Sequence, residues 1–407
     1  MNIKTDRILL IANNFPPVRG GSSVVYANLA RHLGERVLIL APTLSYVDGL
    51  PLIGWREHDR KAGYPVMRLT LLRTVMQEGS IRQARSRLWL RLSDLAIRGR
   101  LTLVILWLIL VHRVRRICVG ELLASGWVIA FCRWIPFVRT IAYVHGEEIT
   151  TEDSYDHGHA RARAALLAAD DIVVVSHFTQ MAVRNLLDGD AATKRIALIE
   201  NGVDTTRFRP IGRRTDLVAT YGIDGFRVFV SVCRLLEKKG IDNAIRAFAS
   251  ASLARPGWRY IVVGTGPYET RLREIAVEEG VADKVVFAGE VIDDDLVAHY
   301  CLGDIFVMPN RELANGDTEG FGLVFLEANC CGLPVIAGGD GGSTDAVQDG
   351  VNGIVVNGAS VPEITTAMVS LMDDPALLER LVRGAATISQ RADWKGKTTA
   401  FLAVCAA

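Results

Sequence analysis

A chain of 407 residues, half of them apolar and 22% charged, exceeds one ordinary core of about 150 residues and is expected to fold as two globular domains. Its net charge of +1 conceals an asymmetry: residues 62–140 hold thirteen arginines and no lysine against Glu78, Asp94 and Glu121, a balance of +10 that leaves −9 on the remainder. The seven cysteines form no Cys-x-x-Cys pair and no cluster with histidine, which argues against structural zinc and a disulfide framework and fits a reducing cytosol.

The polar residues 1–6 lead straight into a first strand, so no signal peptide is expected. That strand, 7–12, ends on Asn13 and Asn14, and Gly20 and Gly21 then open a helix over 24–33. A Gly-Gly turn at a helix start permits close approach of a sugar or a phosphate, and a tight packing turn uses the same residues. A second strand falls at 36–41. The run 101–111 is apolar except for Thr102 and is bounded by Arg100 and by His112, Arg113, Arg115 and Arg116. It is too short to span a bilayer, which takes roughly 20 residues, and is read either as a buried helix or as an interfacial one with its arginines at the headgroups. The arginine-rich block 62–140 suits anionic lipid or a phosphorylated acceptor, because guanidinium pairs with phosphate in a planar fork. Nucleic acid is not expected, since there is no recognition module and no aromatic–basic interleaving.

A strand at 138–144 delivers His145-Gly146. A histidine there can offer a ring N–H and its main-chain carbonyl to a sugar, although a lone histidine is more often structural. Strands at 171–176 and 195–200 follow, and 201–210, Asn-Gly-Val-Asp and then polar residues and a proline, is the natural joint between domains. Beyond it, strand 227–233 delivers Arg234 and Lys239 ahead of Gly240 and a new helix; two cations from one loop can neutralise a diphosphate leaving group. Strand 259–263 feeds Gly264 and Gly266, with Glu269 where a dinucleotide fingerprint wants glycine, which argues against a standard NAD site. Strand 284–287 precedes Asp293, Asp294 and Asp295, read as a helix start in preference to a metal-binding acidic motif.

Strand 304–308 leads to the most informative stretch, Glu319-Gly320-Phe321-Gly322-Leu323-Val324-Phe325-Leu326-Glu327, with a further strand at 333–337. Glycines let backbone N–H groups approach an anion at a helix start, and carboxylates can accept the vicinal hydroxyls of a sugar ring. Phosphate held by backbone and sugar held by carboxylate describe a nucleotide-sugar site. The plain alternative is a solvated Glu319 and a core helix built on Val324, Phe325 and Leu326. Strands written as continuous apolar runs between helices imply parallel sheets covered on both faces. The expected class is α/β, two Rossmann-like doubly wound domains whose strand ends surround a shared cleft.

The Glu319…Glu327 spacing, with Arg234 and Lys239 upstream, resembles the E-x7-E signature of the retaining family-4 glycosyltransferases of the GT-B fold, also called glycosyl transferases group 1. The resemblance runs from Ile8 to the end and is best over 195–356. It implies that Arg234 and Lys239 bind the donor phosphates, that Glu319 contacts sugar hydroxyls and that Glu327 holds the ribose. It further implies that Gly320, Phe321, Gly322 and Leu323 line the sugar and phosphates, that the Val291 main chain meets the base, and that Gly264 belongs to the donor site. In the first domain, His145 matches a histidine near the donor sugar, and Gly20 and Gly21 a glycine turn near the phosphates. The implied domains are 1–205 for the acceptor, with a terminal helix 391–407 crossing back onto it, and 206–390 for the nucleotide sugar.

Two departures, Ser231-Val232-Cys233 where glycine usually precedes the arginine and Gly342-Ser343-Thr344-Asp345 without the common proline, remove no charged contact. Residues 72–116, where an acceptor would dock, match poorly. The implied activity is retaining transfer of a hexose from a GDP- or UDP-sugar to a glycan or lipid-linked hydroxyl, with no metal required and no cofactor beyond the co-substrate. The expected setting is cytoplasmic, peripheral on the membrane. The alternatives are an epimerase, a non-catalytic nucleotide-sugar binder and, last, a dinucleotide oxidoreductase.

Overall fold

The computed structural model of the chain describes residues 6–75, 84–151 and 156–406. The chain divides into two compact units. The first runs to Val175 and resumes over Thr179–Ile199 and in the terminal helix Trp394–Ala406; the second takes Ser176–Phe178 and Glu200–Asp393.

The sheet of the first unit contains β1 (Arg7–Ile11), β2 (Val37–Pro42), β3 (Val66–Leu69), β4 (Val114–Val119), β5 (Arg139–Val144), β6 (Asp171–Val174) and β7 (Arg195–Leu198). Its order is β3-β2-β1-β4-β5-β6-β7, with every pair parallel. That of the second contains β8 (Arg227–Val232), β9 (Trp258–Val263), β10 (Val285–Gly289), β11 (Ile305–Met308), β12 (Val335–Gly338) and β13 (Gly353–Val356), in the order β10-β9-β8-β11-β12-β13, again all parallel. Both are doubly wound Rossmann-like sheets, as the continuous apolar runs implied. The strand order reverses once in each, between β1 and β4 and between β8 and β11. Loops leaving such a point diverge and open a crevice beyond the carboxyl ends of the strands.

Three strands escaped the sequence reading, and two were hidden by arginine. In β4, Arg115 donates to the carbonyls of Ile109 (3.2 Å) and Val114 (3.1 Å), and Arg116 donates from Nε to the carbonyl of Cys405 (2.5 Å). In β3, Arg68 reaches both carboxylate oxygens of Asp59 (2.9 and 2.7 Å) and the carbonyls of Pro42 and Pro16. The third, β13, is only Gly-Ile-Val-Val.

These contacts also engage part of the arginine-rich block 62–140 within the fold. Arg139 pairs with Asp171 as well, so Arg68, Arg115, Arg116 and Arg139 are spent inside the first unit. Arg82 lies outside the described residues. The run 101–111 proves to be the end of a longer helix, Ala84–Val111, with Leu101, Ile105, Leu108 and Ile109 in the core of the first unit.

Candidate active site

In the second unit, the loop after β8 carries Arg234, exposed and, among the described residues, without a side-chain hydrogen bond or ion pair. The loop is held by its neighbour: Leu235 donates its N–H to the Thr265 carbonyl (2.9 Å), and Tyr268 donates to the Leu235 carbonyl (3.2 Å). Gly264 and Gly266 make that approach possible. A Cβ on Gly264 would lie 2.0 Å from the Cys233 carbonyl oxygen, and one on Gly266 2.3 Å from that of Leu235. Packing thus explains the Gly264 that the resemblance assigned to the donor.

The next turn, Glu237–Lys239, presents two lysines to two different acids. Lys238 is buried and bonds Asp317 at 2.6 Å, while Lys239 bonds the carboxylate of Glu319. Arg311 clamps the same turn, donating its N–H to the Lys238 carbonyl (2.8 Å) and its guanidinium to Asp242 (2.7 and 3.0 Å). Lys238, Asp242, Arg311 and Asp317 were missed in the sequence; the Lys-Lys doublet was the available signal.

Glu319 stands on the long loop after β11, its side chain 16% exposed. Its other oxygen accepts the N–H of Gly322 at 3.2 Å. Burial works to raise its pKa, but Lys239, then Lys238 and the Phe321 N–H, outweigh burial and hold the carboxylate below its ordinary range. Gly322 adopts φ 85°, where a Cβ would strike the Phe325 ring at 2.5 Å, and it caps the helix Leu323–Cys330. Phe321 is buried; Gly320 and Leu323 are half-buried. The loop after β12 locks this backbone: Gly342 donates to the Glu319 carbonyl (2.7 Å), and a Cβ on Gly341 or Gly342 would meet the carbonyl oxygens of Glu319 or Gly320 at 2.2 and 2.1 Å. Glu327 is buried on the same helix and accepts the Tyr300 hydroxyl at 2.7 Å. Val291 is half-buried two residues past β10.

The acidic run starts a helix, Asp293–Tyr300, and Asp295 is ion-paired with Arg214. A grouping missed in the sequence is His177, Glu200 and Asp345, whose ligand-capable atoms lie within 4.8 Å of one another; the Asp345 carboxylate there already bonds the imidazole at 2.5 Å.

In the first unit, β1 ends at the switch point against Glu121, which follows β4. Glu121 accepts the N–H groups of Asn13 (2.9 Å) and Asn14 (3.1 Å), yet burial pushes its pKa up to about 6. Gly20 and Gly21 are exposed at the start of the helix Gly21–Leu33, with open space where either Cβ would stand. After β5, His145 stacks on Tyr143 (5.2 Å) and meets the Tyr26 hydroxyl through Nε2 at 2.8 Å. Tyr26 spends its one proton on the Gly120 carbonyl (2.7 Å), so Nε2 of His145 must be the donor to it. Burial lowers the imidazole pKa to about 4, which leaves Nδ1 as an acceptor at neutral pH. The expectation of a ring N–H offered to a sugar is therefore corrected: that proton is held by Tyr26. A Cβ on Gly120 would sit 2.1 Å from the same hydroxyl, a requirement that sequence reasoning did not register.

Glu148 accepts the N–H groups of His145 (3.0 Å) and Gly146 (3.1 Å), and burial still carries its pKa up to about 7. A carboxyl with a raised folded pKa stabilises fully below its unfolded value, near 4.5, and loses that contribution as pH rises through 7. Glu148→Gln should thus melt higher than wild type at pH 8 and close to it at pH 4.5. Parallel melting curves across that range would show a hydrated carboxylate instead.

Two doubly wound parallel units, the second with its carboxylate–glycine loop beside a cation loop, define a glycosyltransferase of the GT-B fold. The solved structure of Anabaena Alr3699/HepE in complex with UDP and glucose shares the fold at a TM-score of 0.75 and 20% identity, over 98% of this chain and 99% of that one. Residues 214–387 match the family model "Glycosyl transferases group 1". A GDP-mannose-dependent alpha-(1-6)-phosphatidylinositol monomannoside mannosyltransferase of Mycobacterium tuberculosis is 32% identical over 376 residues, 90% of this chain and 89% of that protein. Its namesake in Mycolicibacterium smegmatis is 32% identical over 387 residues, 90% of each. The chain belongs to the group 1 glycosyltransferases and is a retaining enzyme of that family. The epimerase, binder and oxidoreductase alternatives fall with that membership.

Proposed function

We propose that this enzyme transfers mannose from GDP-mannose to a hydroxyl of a phosphatidylinositol mannoside lipid, at the cytoplasmic face of a membrane. The identity to mannosyltransferases of that donor and acceptor along nine-tenths of the chain supports the substrates. The seven cysteines, all free and buried, support a reducing compartment. The observation that carries the chemistry is the second unit's loop pair: an unspent Arg234 guanidinium on the loop after β8, and Glu319 held ionised by Lys239.

In this reading residues 206–390 hold the donor and residues 1–205 take the acceptor. Glu319 accepts sugar hydroxyls, Glu327 accepts those of the ribose, and the Val291 main chain meets the base. The N–H groups of residues 320–323, with those at Gly20 and Gly21, approach the sugar and diphosphate. His145 Nδ1 accepts a sugar hydroxyl proton. As the bond from the anomeric carbon to the diphosphate oxygen breaks, positive charge develops on the sugar and negative charge on the leaving group. Arg234 and Lys239 stabilise the latter without moving. The acceptor oxygen bonds the anomeric carbon from the same face, and its proton passes to the departing phosphate oxygen. Glu319 positions the sugar and forms no covalent bond to it.

Incubating the purified chain with phosphatidylinositol monomannoside and either GDP-mannose or UDP-glucose tests the substrates. A mannosylated lipid by mass spectrometry, formed only with GDP-mannose, is expected; transfer from the UDP-sugar alone would overturn the assignment. The same reaction in excess EDTA should proceed at an unchanged rate, because fixed cations serve the leaving group and Asp295 is committed to Arg214. Loss of turnover on chelation would assign the diphosphate to a divalent ion. Proton NMR of the new bond should show the donor's anomeric configuration.

A further inference from the structure

The helix Ala84–Val111 is apolar on two sides. Opposite its core face, Leu92, Ala96, Gly99, Leu103, Trp107 and Leu110 form one stripe at spacings of three and four. Leu92 is 56% exposed, Leu103 69%, Trp107 45% and Leu110 75%. At 1.5 Å per residue the stripe is about 27 Å long, and no charged residue interrupts it. Arg91, Arg98 and Arg100 border it; Asp94 on the same helix is bonded to Arg98 at 2.8 Å, and Arg100 donates to the Thr70 hydroxyl (3.4 Å) and the Leu71 carbonyl (3.1 Å).

A second exposed apolar segment lies by the end of this helix. After the helix Leu122–Cys132, Arg133 is exposed, Trp134 is 85% exposed and Phe137 47%. Arg115 ties the two together, donating to the Ile109 carbonyl and lying 4.7 Å over the Phe137 ring.

We propose that this face docks the enzyme on an anionic bilayer surface. The leucine stripe with Trp107, Trp134 and Phe137 enters the boundary between headgroups and acyl chains, and Arg91, Arg113 and Arg133 meet the lipid phosphates. Indole rings favour that boundary because one edge is apolar and the other carries a donor. A second copy of the chain fits the face less well: a two-fold contact would set one basic rim against another. Among the described residues no helix is long and apolar enough to cross a membrane, so the contact is one of surface docking. The inference rests on the proposed reading insofar as that reading gives the enzyme a lipid acceptor.

Co-sedimentation with phosphatidylglycerol–phosphatidylcholine vesicles and with phosphatidylcholine vesicles tests it. Wild type should bind the anionic vesicles more strongly, and high salt should weaken that binding without abolishing it, because the apolar part is unscreened. Leu103→Asp with Leu110→Asp should lower the bound fraction by roughly tenfold or more at every salt concentration. Both leucines are exposed, so this variant should keep its melting temperature, its GDP affinity by calorimetry and its transfer to a short-chain, water-soluble acceptor. Those controls separate failure of the docking face from failure of the mannosyltransferase reading. Binding of the variant equal to wild type, or wild-type binding lost completely in salt, would overturn the proposal. So would a wild-type dimer by light scattering that the variant dissolves, which would give the face to a second copy.

Discussion

Glu319→Gln should lower the transfer rate by roughly two to three orders of magnitude, the scale seen when one preorganised electrostatic contact is removed from a reacting centre. The amide keeps the size of the side chain and an oxygen for the Gly322 N–H, but it cannot hold Lys239 as an ion pair. With both side chains about 15% exposed, that loss should also cost about 1–3 kcal/mol of stability. The sign of the pH dependence follows from the lowered carboxylate pKa. The pairing contributes above the unfolded value and is lost as pH falls through the folded one, so the melting temperatures of variant and wild type should converge in acid. Turnover and thermal melting measured on one preparation decide the matter. A folded variant with near-normal turnover would remove Glu319 from the donor site.

The second large effect separates two cations that sequence reasoning treated alike. Arg234→Ala removes an exposed guanidinium with no side-chain partner among the described residues, so the melting temperature should not move. Nucleoside diphosphate affinity should fall by about 1.5–3 kcal/mol, the value of charge-assisted hydrogen bonds to a phosphate. Lys239→Ala should behave differently. It strands the Glu319 carboxylate, mostly buried, without its ion-pair partner, and so lowers stability as well as diphosphate affinity. Calorimetry with GDP, beside a melting curve for each variant, distinguishes the pair. Equal stability losses would mean that Arg234 is engaged elsewhere, and unchanged GDP affinity in Arg234→Ala would place the diphosphate away from this loop.

Much of the candidate site was legible because its signals are local. A buried parallel strand is a short apolar run, and the residues directly after it must lie beyond a strand end, where α/β proteins bind ligands. That reasoning located Arg234 after β8, the glycine loop before Leu323–Cys330, and His145 after β5. It failed where a strand carries charge. The guanidinium groups of β3 and β4 find partners far along the chain, Pro16 for Arg68 and Cys405 for Arg116, and the apolar pattern breaks with nothing nearby to explain it.

The sequence by itself determined the α/β class, most of the strands and the chemical types gathered at their ends. Each of these depends on residues within one strand and the loop that follows it. Tertiary structure decided which of those groups meet. Lys239 and Glu319 are 80 residues apart and His145 and Tyr26 119 apart, and only the sheet orders bring each pair within bonding distance. The imidazole tautomer, the clamp on Glu237–Lys239 and the fate of each arginine follow from such pairings. The run 101–111 makes the same point: its composition cannot say which side of a helix is covered. Its inner leucines are buried because β4 and its neighbours stand against them, while Leu103 and Leu110 on its outer side remain exposed.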